Sequence, residues 1–167
     1  APDWSADWLH REALALREEL ATSVFATPYA QLTFEQRAGI DARVKVQMRR
    51  NDYDADSGTL RIPASRAAAI STVSAHYGEL FGNGQALDTL REQYAMSTDT
   101  VPAAADRRAL SAFFFWSSWA AATDRPGETG ISYTSNWPHE PLVDNRMTAG
   151  SATAAWDPTN PVAPVTS

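Results

Sequence analysis

The stretch that most constrains this chain runs from Ala109 to Leu142. It holds Phe113, Phe114 and Phe115 in a row, Trp116, Trp119 and Trp137, and one of the three histidines, His139. Ala109 to Thr123 is apolar or small on every side, which predicts a helix buried all round. Arg125-Pro126-Gly127 stops it, because proline cannot continue a helix and glycine tolerates the turn. Ile131 to Leu142 then reads as a loop rich in aromatics, amides and prolines. A buried helix feeding a stiff, polar-tipped loop predicts that core and function meet here.

Composition narrows the classes. At 167 residues the length predicts one domain, and 44% apolar residues supply a core. A net charge of −6 with scattered basic residues argues against a nucleic-acid partner. There is no cysteine. That excludes disulfides, thiolate metal sites, thiol nucleophiles and a haem attached through Cys-x-x-Cys-His. No run of 18 apolar residues occurs, so no membrane span is expected. The start at Ala1, without methionine, predicts a processed or excised segment.

From the N-terminus, Ala1 to Trp4 reads as an extended entry, with Ser5 or Asp7 as the cap of a first helix. That helix covers Trp8 to about Phe25, with Leu9, Ala13, Leu16, Leu20 and Val24 on its inner stripe. Arg11, Glu12, Arg17, Glu18 and Glu19 fall mostly off the stripe. Thr33 and Gln36 form a capping box that opens a second helix to about Arg50. Phe34, Ala38, Ile40, Val44 and Met48 make its inner side. Its basic end, Arg43, Lys45, Arg49 and Arg50, has two readings: complement to the helix dipole, or a dock for anionic headgroups or an acidic partner. Tyr53 to Ile62 predicts a short hairpin turning at Gly58. Asp54, Asp56 and Gly58 match the start of a calcium loop, but the closing glutamate is missing, which favours a plain acidic turn. A third helix spans Ala64 to Phe81, with Ser65 as cap, Ile70, Val73, Tyr77 and Leu80 as stripe, and Gly82 as stop. Gln85 to Tyr94 forms a shorter helix. Met96 follows in a loop, and Pro102 and Asp106 lead into the apolar helix. Residues 151–167 carry three prolines and Trp156 with no usable period of apolar residues, and read as an extended or disordered tail. The domain is therefore drawn at 1–150 and the tail at 151–167.

No catalytic template is met by spacing. There is no Gly-x-Ser-x-Gly elbow, no phosphate-cradling glycine loop and no His-x-x-x-His pair. His76 beside Tyr77 reads as a packed histidine. His139-Glu140, bracketed by Pro138 and Pro141 beside Trp137, carries the chemistry: a histidine next to a carboxylate can move protons near neutral pH, and the tryptophan is an amphipathic anchor. The plainer reading is that Asn136 and His139 tie the loop to the domain by hydrogen bonds.

Three stretches carry a resemblance. Ala1 to Ala13 (APDWSADWLHREA) resembles the segment near the N-terminus of the single-chain, quinol-dependent nitric oxide reductases. Ala112 to Trp116, Trp119 to Gly127 and Tyr133 to Val143 are similar to that family's segment just before its second membrane helix. The resemblance covers roughly residues 1–150. It implies a mainly α, cytochrome c-like domain without haem, with a small β-hairpin, on the periplasmic side of the inner membrane. It implies no cofactor in this segment, and b-type haems and non-haem iron in the membrane portion of the parent. There two nitric oxides are reduced to nitrous oxide and water, with electrons from quinol. The implied partners are that membrane portion and quinol. Phe113, Phe114, Phe115 and Trp116 are the expected fillers of the vacated haem space. Trp137, His139 and Glu140 are the expected membrane-facing loop, shaping quinol or proton access, and no residue here is expected to be catalytic. Two departures stand out: the family's glycine-rich segment and membrane anchor do not precede Ala1, and the residues after Thr148-Ala149-Gly150 do not read as a membrane helix. The rival reading is a free-standing module that binds a small ligand or a protein. A third, a small hydrolase using His139, requires a nucleophile within hydrogen-bonding reach.

Overall fold

A computed structural model describes residues 2–146; the expected tail and its boundary lie outside them. Helix α1 spans Trp4–Phe25, α2 Phe34–Arg49, α3 Ala64–Phe81, α4 Asp88–Gln93 and α5 Ala104–Ala122. Strands β1 (Tyr53–Asp54) and β2 (Thr59–Leu60) pair antiparallel, Tyr53 opposite Leu60. The mainly helical fold with one small hairpin is as expected. The shorter helix is a 3₁₀ turn, Gln85–Leu87, running into α4.

Local signals account for most boundaries. Thr33 and Gln36 do form the reciprocal capping box. Asp54 accepts from the backbone of Asp56 and Ser57, which makes the acidic turn an Asx turn. At Gly82 an added Cβ would lie 2.7 Å from the Gly78 carbonyl, so only glycine fits where α3 stops. Three expectations are corrected. α1 begins four residues early: the Asp3 carboxylate accepts from the Ser5 and Ala6 amides and is the cap, in place of Ser5 or Asp7. α3 has Pro63 at its cap position and no side-chain cap, so Ser65 does not serve. Phe34, at the first turn of α2, is 82% exposed, and Ala38 is exposed too; the inner side is Ile40, Val44 and Met48.

α1 packs against α2, α3 and α5 and divides the core in two. One half is aliphatic: Leu9, Leu16 and Leu20 meet Ile40, Val44, Met48 and Val143. The other is aromatic: Trp8, Tyr77, Phe81, Phe114, Phe115 and Trp119, with Trp4 packed against them. Trp8 stacks on Tyr77 at 5.4 Å, and Trp4 stacks on Phe114 at 5.8 Å while meeting Phe81 edge-on. α5 is not buried all round. Phe114 and Phe115 face inward, while Phe113 and Trp116 are 66% and 44% exposed. The helix packs on one side only, although its sequence is apolar on every side.

A charged cluster sits within α1, α2 and α3. Glu12, expected off the stripe, is fully buried. One of its oxygens accepts from the Trp8 indole at 2.9 Å, the other from Arg66 Nε at 2.7 Å. Arg66 also donates to the Gln47 carbonyl at 3.1 Å. A buried charge needs such pairing to be tolerated at all.

Candidate functional site

The loop after α5 folds back over the end of that helix. The amides of Tyr133 and Thr134 donate to the Ala120 carbonyl at 3.0 and 3.1 Å. Asn145 donates to the Ala121 carbonyl at 3.3 Å and to Asn136 Oδ1 at 2.9 Å, and its own Oδ1 accepts from the Glu140 amide at 2.7 Å. Arg49 is buried and clamps the same loop. It donates to the carbonyls of Val143 and Asp144 and to the Asp124 carboxylate, the last at 2.6 Å. One member of the basic end of α2 is therefore a structural clamp and no headgroup dock. Lys45 lies 3.5 Å from Asp144, and Arg50 pairs with Asp52.

Sequence proximity misleads at His139-Glu140. Glu140 is buried, and its Oε2 lies 2.6 Å from Nδ1 of His10, on α1 and 130 positions away. Its Oε1 accepts from the Leu142 amide at 3.1 Å. His139 is half-buried and packs edge-on against Trp137 at 5.3 Å. Among the described residues His139 makes no side-chain hydrogen bond, so no nucleophile is set against it and the hydrolase reading finds no geometry. Trp137 is 72% exposed, while its amide donates to Asp3 Oδ2 at 3.2 Å. The loop is thus pinned to α1 twice, through Asp3 and through His10. Lys45, His139, Glu140, Pro141, Asp144 and Arg146 line an open cleft of about 380 Å³ beside it.

The electrostatics follow from these contacts. Burial alone would raise the Asp3 carboxyl, but hydrogen bonds from Ser5, Trp137 and Ala6 outweigh it and hold it below the ordinary range. At Asp144, likewise, Lys45 and Arg146 outweigh desolvation and the carboxyl is lowered. Burial, helped by the nearby Arg11 charge, pushes the His76 imidazole down. Burial first and the bond to Asp7 second push the Tyr77 phenol far up.

A cytochrome c-like fold raises the question of a haem. The residues present do not fit one. There is no cysteine for a thioether link. His10 faces Glu140, His76 lies against Tyr77 and His139 against Trp137, so the three imidazoles do not converge. The aromatic half of the core is packed with rings in contact. Among the described residues no cluster of histidine, aspartate or glutamate is placed to hold a metal, and no helix is long and apolar enough to cross a membrane.

With this fold, residues 1–139 match the family model of the cytochrome c-like domain of NorB, a nitric oxide reductase protein. The chain belongs to this family of NorB cytochrome c-like domains. No protein with a curated description matches it.

The sequence reading missed Asp3, His10 and Arg49 as partners of this loop. For Asp3 a signal existed: an aspartate two residues before a serine, at the start of an amphipathic run, is a cap pattern. For His10 and Arg49 there was none, because their partners are separated from them by 130 and 75 or more positions.

Proposed function

We propose that this domain caps the outer, periplasmic face of a membrane-embedded nitric oxide reductase core and bears the loop 136–146 as its docking element. In the parent, two nitric oxides go to nitrous oxide and water with electrons drawn from quinol, and the haems and non-haem iron belong to the membrane portion. This domain passes no electrons of its own; it shapes how quinol or protons reach that portion. The observation that carries the reading is the family match over residues 1–139 of a chain without cysteine, whose interior is filled by aromatic rings. On this reading Phe114 and Phe115, packed with Trp4, Trp8 and Tyr77, are the fillers of the space a haem would take, while Phe113 and Trp116 lie at the surface.

In the docking loop the roles divide by burial. Trp137 presents an exposed indole to the membrane portion. His139 stands beside it as the exchangeable proton carrier. Glu140 holds the loop's shape through His10 and the Leu142 amide rather than facing outward. Trp137→Ala with His139→Ala in the whole reductase should lower quinol-driven nitric oxide turnover while leaving the haem spectrum of the membrane portion intact. Unchanged turnover would remove the loop from the account.

A further inference from the structure

Tyr53 of β1, Trp116 and Trp119 of α5, and Tyr133 of the following loop line an open cleft of about 410 Å³, closed at one end by Gly58 of the hairpin. Its side-chain walls are all aromatic. Tyr53 and Trp116 stand nearly perpendicular at 88°, and Trp116 meets Trp119 at 73°. The centroids of Tyr53, Trp116 and Trp119 form a nearly equilateral triangle with sides of 6.5, 5.7 and 6.1 Å. A cation seated on the open side of that triangle lies within about 6 Å of all three rings, the reach of a cation–π contact. The walls are held in place. Trp119 is largely buried and stacks on Tyr133 at 5.5 Å. Asn51 donates to the Tyr133 hydroxyl at 2.9 Å and to the Asp124 carbonyl at 3.1 Å. Tyr53 is paired with Leu60 across the hairpin. Rings set before a ligand arrives lower the entropy lost on binding.

Charge selects the ligand. Aromatic faces carry negative potential, and no basic side chain lines the cleft. From Asn51 to Ile62, the stretch that supplies Tyr53 and Gly58, there are three aspartates against one arginine. Asp54 and Asp56 belong to the turn that leads to Gly58. Hydrogen bonds from the Ser57 hydroxyl and from the amides of Asp56 and Ser57 hold the Asp54 carboxyl below its ordinary range, so it stays ionised. The kind of cation follows from the hydrogen bonds on offer. A primary ammonium brings three N–H donors that need acceptors once water is displaced. The lining side chains supply only two phenol oxygens, and that of Tyr133 is already bonded to Asn51. A trimethylammonium group has no N–H to satisfy, and its methyls pack on the ring faces that its charge attracts.

We infer that the Tyr53–Trp116–Trp119–Tyr133 cleft is a binding site for a small soluble quaternary ammonium compound of the choline or betaine class. Tyr53, Trp116 and Trp119 hold the cation, and Tyr133 backs Trp119. The site shares no residue with the loop 136–146, so its failure would leave the docking reading untouched.

The test titrates the full chain with choline chloride and follows the indole resonances of Trp116 and Trp119. Both should shift in a saturable way, with the indole of Trp137 unmoved. The neutral isostere 3,3-dimethylbutan-1-ol, which has the same shape without the charge, should bind about tenfold more weakly. Ethanolamine, which restores the N–H donors, should be weaker than choline as well. Tyr53 is half exposed, so its replacement leaves the helical circular dichroism unchanged. Tyr53→Leu should weaken choline binding about tenfold, whereas Tyr53→Phe, which keeps the ring, should preserve it. Equal binding of choline and its neutral isostere would overturn the inference, because the cleft would then be an ordinary apolar slot. So would the absence of any saturable shift with choline. Binding to phosphatidylcholine vesicles without a response to free choline would also overturn it, by making a lipid surface the ligand.

Discussion

Glu12 and Arg66 show how one buried pair can couple three helices, since Arg66 also reaches the Gln47 carbonyl of α2. Glu12 has no exposed surface, and its two oxygens are divided between the Trp8 indole and Arg66. Taking away one partner of a buried pair strands the other, at about 3–5 kcal/mol, whereas removing both is much milder. Arg66→Met alone should therefore lower the free energy of unfolding in urea by about 3–5 kcal/mol, and Glu12→Met with Arg66→Met by clearly less. Equal losses would mean that removing Arg66 leaves no stranded charge on Glu12. His76 makes a second prediction, about pH. Its folded-state pKa is depressed by burial and by Arg11, so the unfolded chain binds the proton more readily. The stability this contributes is present above the unfolded value of about 6.5 and is lost as pH falls through the depressed folded value. Stability should drop as the pH is taken from 7 to 5, and His76→Gln should flatten that part of the profile.

At the scale of elements, α5 explains why the sequence was only half legible. Its apolar residues surround the axis, so periodicity alone could not tell the face against α1 and α3 from the face left to solvent. Phe114→Ala should cost about 3–5 kcal/mol, as a large core side chain does. Phe113→Ala should cost within about 0.5 kcal/mol, because its ring is exposed; chemical denaturation of the two variants separates them. The ends of α2 and α3 were readable because caps and stops are local: Thr33 with Gln36, and Gly82. The start of α1 departs from the expected extended entry because the Asp3 cap carries the helix back to Trp4. Its end is set by Ala26, which adopts a left-handed conformation at φ 51°. Alanine is strained there by about 1–2 kcal/mol, partly offset in glycine by a floppier unfolded chain. Ala26→Gly should therefore raise the unfolding free energy by up to about 1 kcal/mol, and a loss would contradict the cap geometry.

For the whole molecule, the long-range ties give the domain its shape around the loop. Asp3 at the cap of α1, His10 of α1 and Arg49 of α2 hold a segment that follows them by about a hundred residues. No sequence pattern announces such pairs; the tryptophan-rich wording of the loop announced only that something is built there. The two core halves have distinct consequences. The aliphatic half is an ordinary helix interface, while the aromatic half, on the proposed reading, fills the place where a cytochrome would hold its cofactor. A domain built this way would support a membrane enzyme by shape and contact, without carrying electrons. The most direct test is a titration of the full chain with ferric haem, followed by optical spectroscopy of the oxidised and reduced forms. The account predicts the spectrum of free haem throughout, with the near-ultraviolet dichroism of the packed aromatic rings unchanged. A one-to-one complex with a sharpened Soret band and a low-spin reduced spectrum would show a usable haem pocket among those rings, and would contradict the central claim.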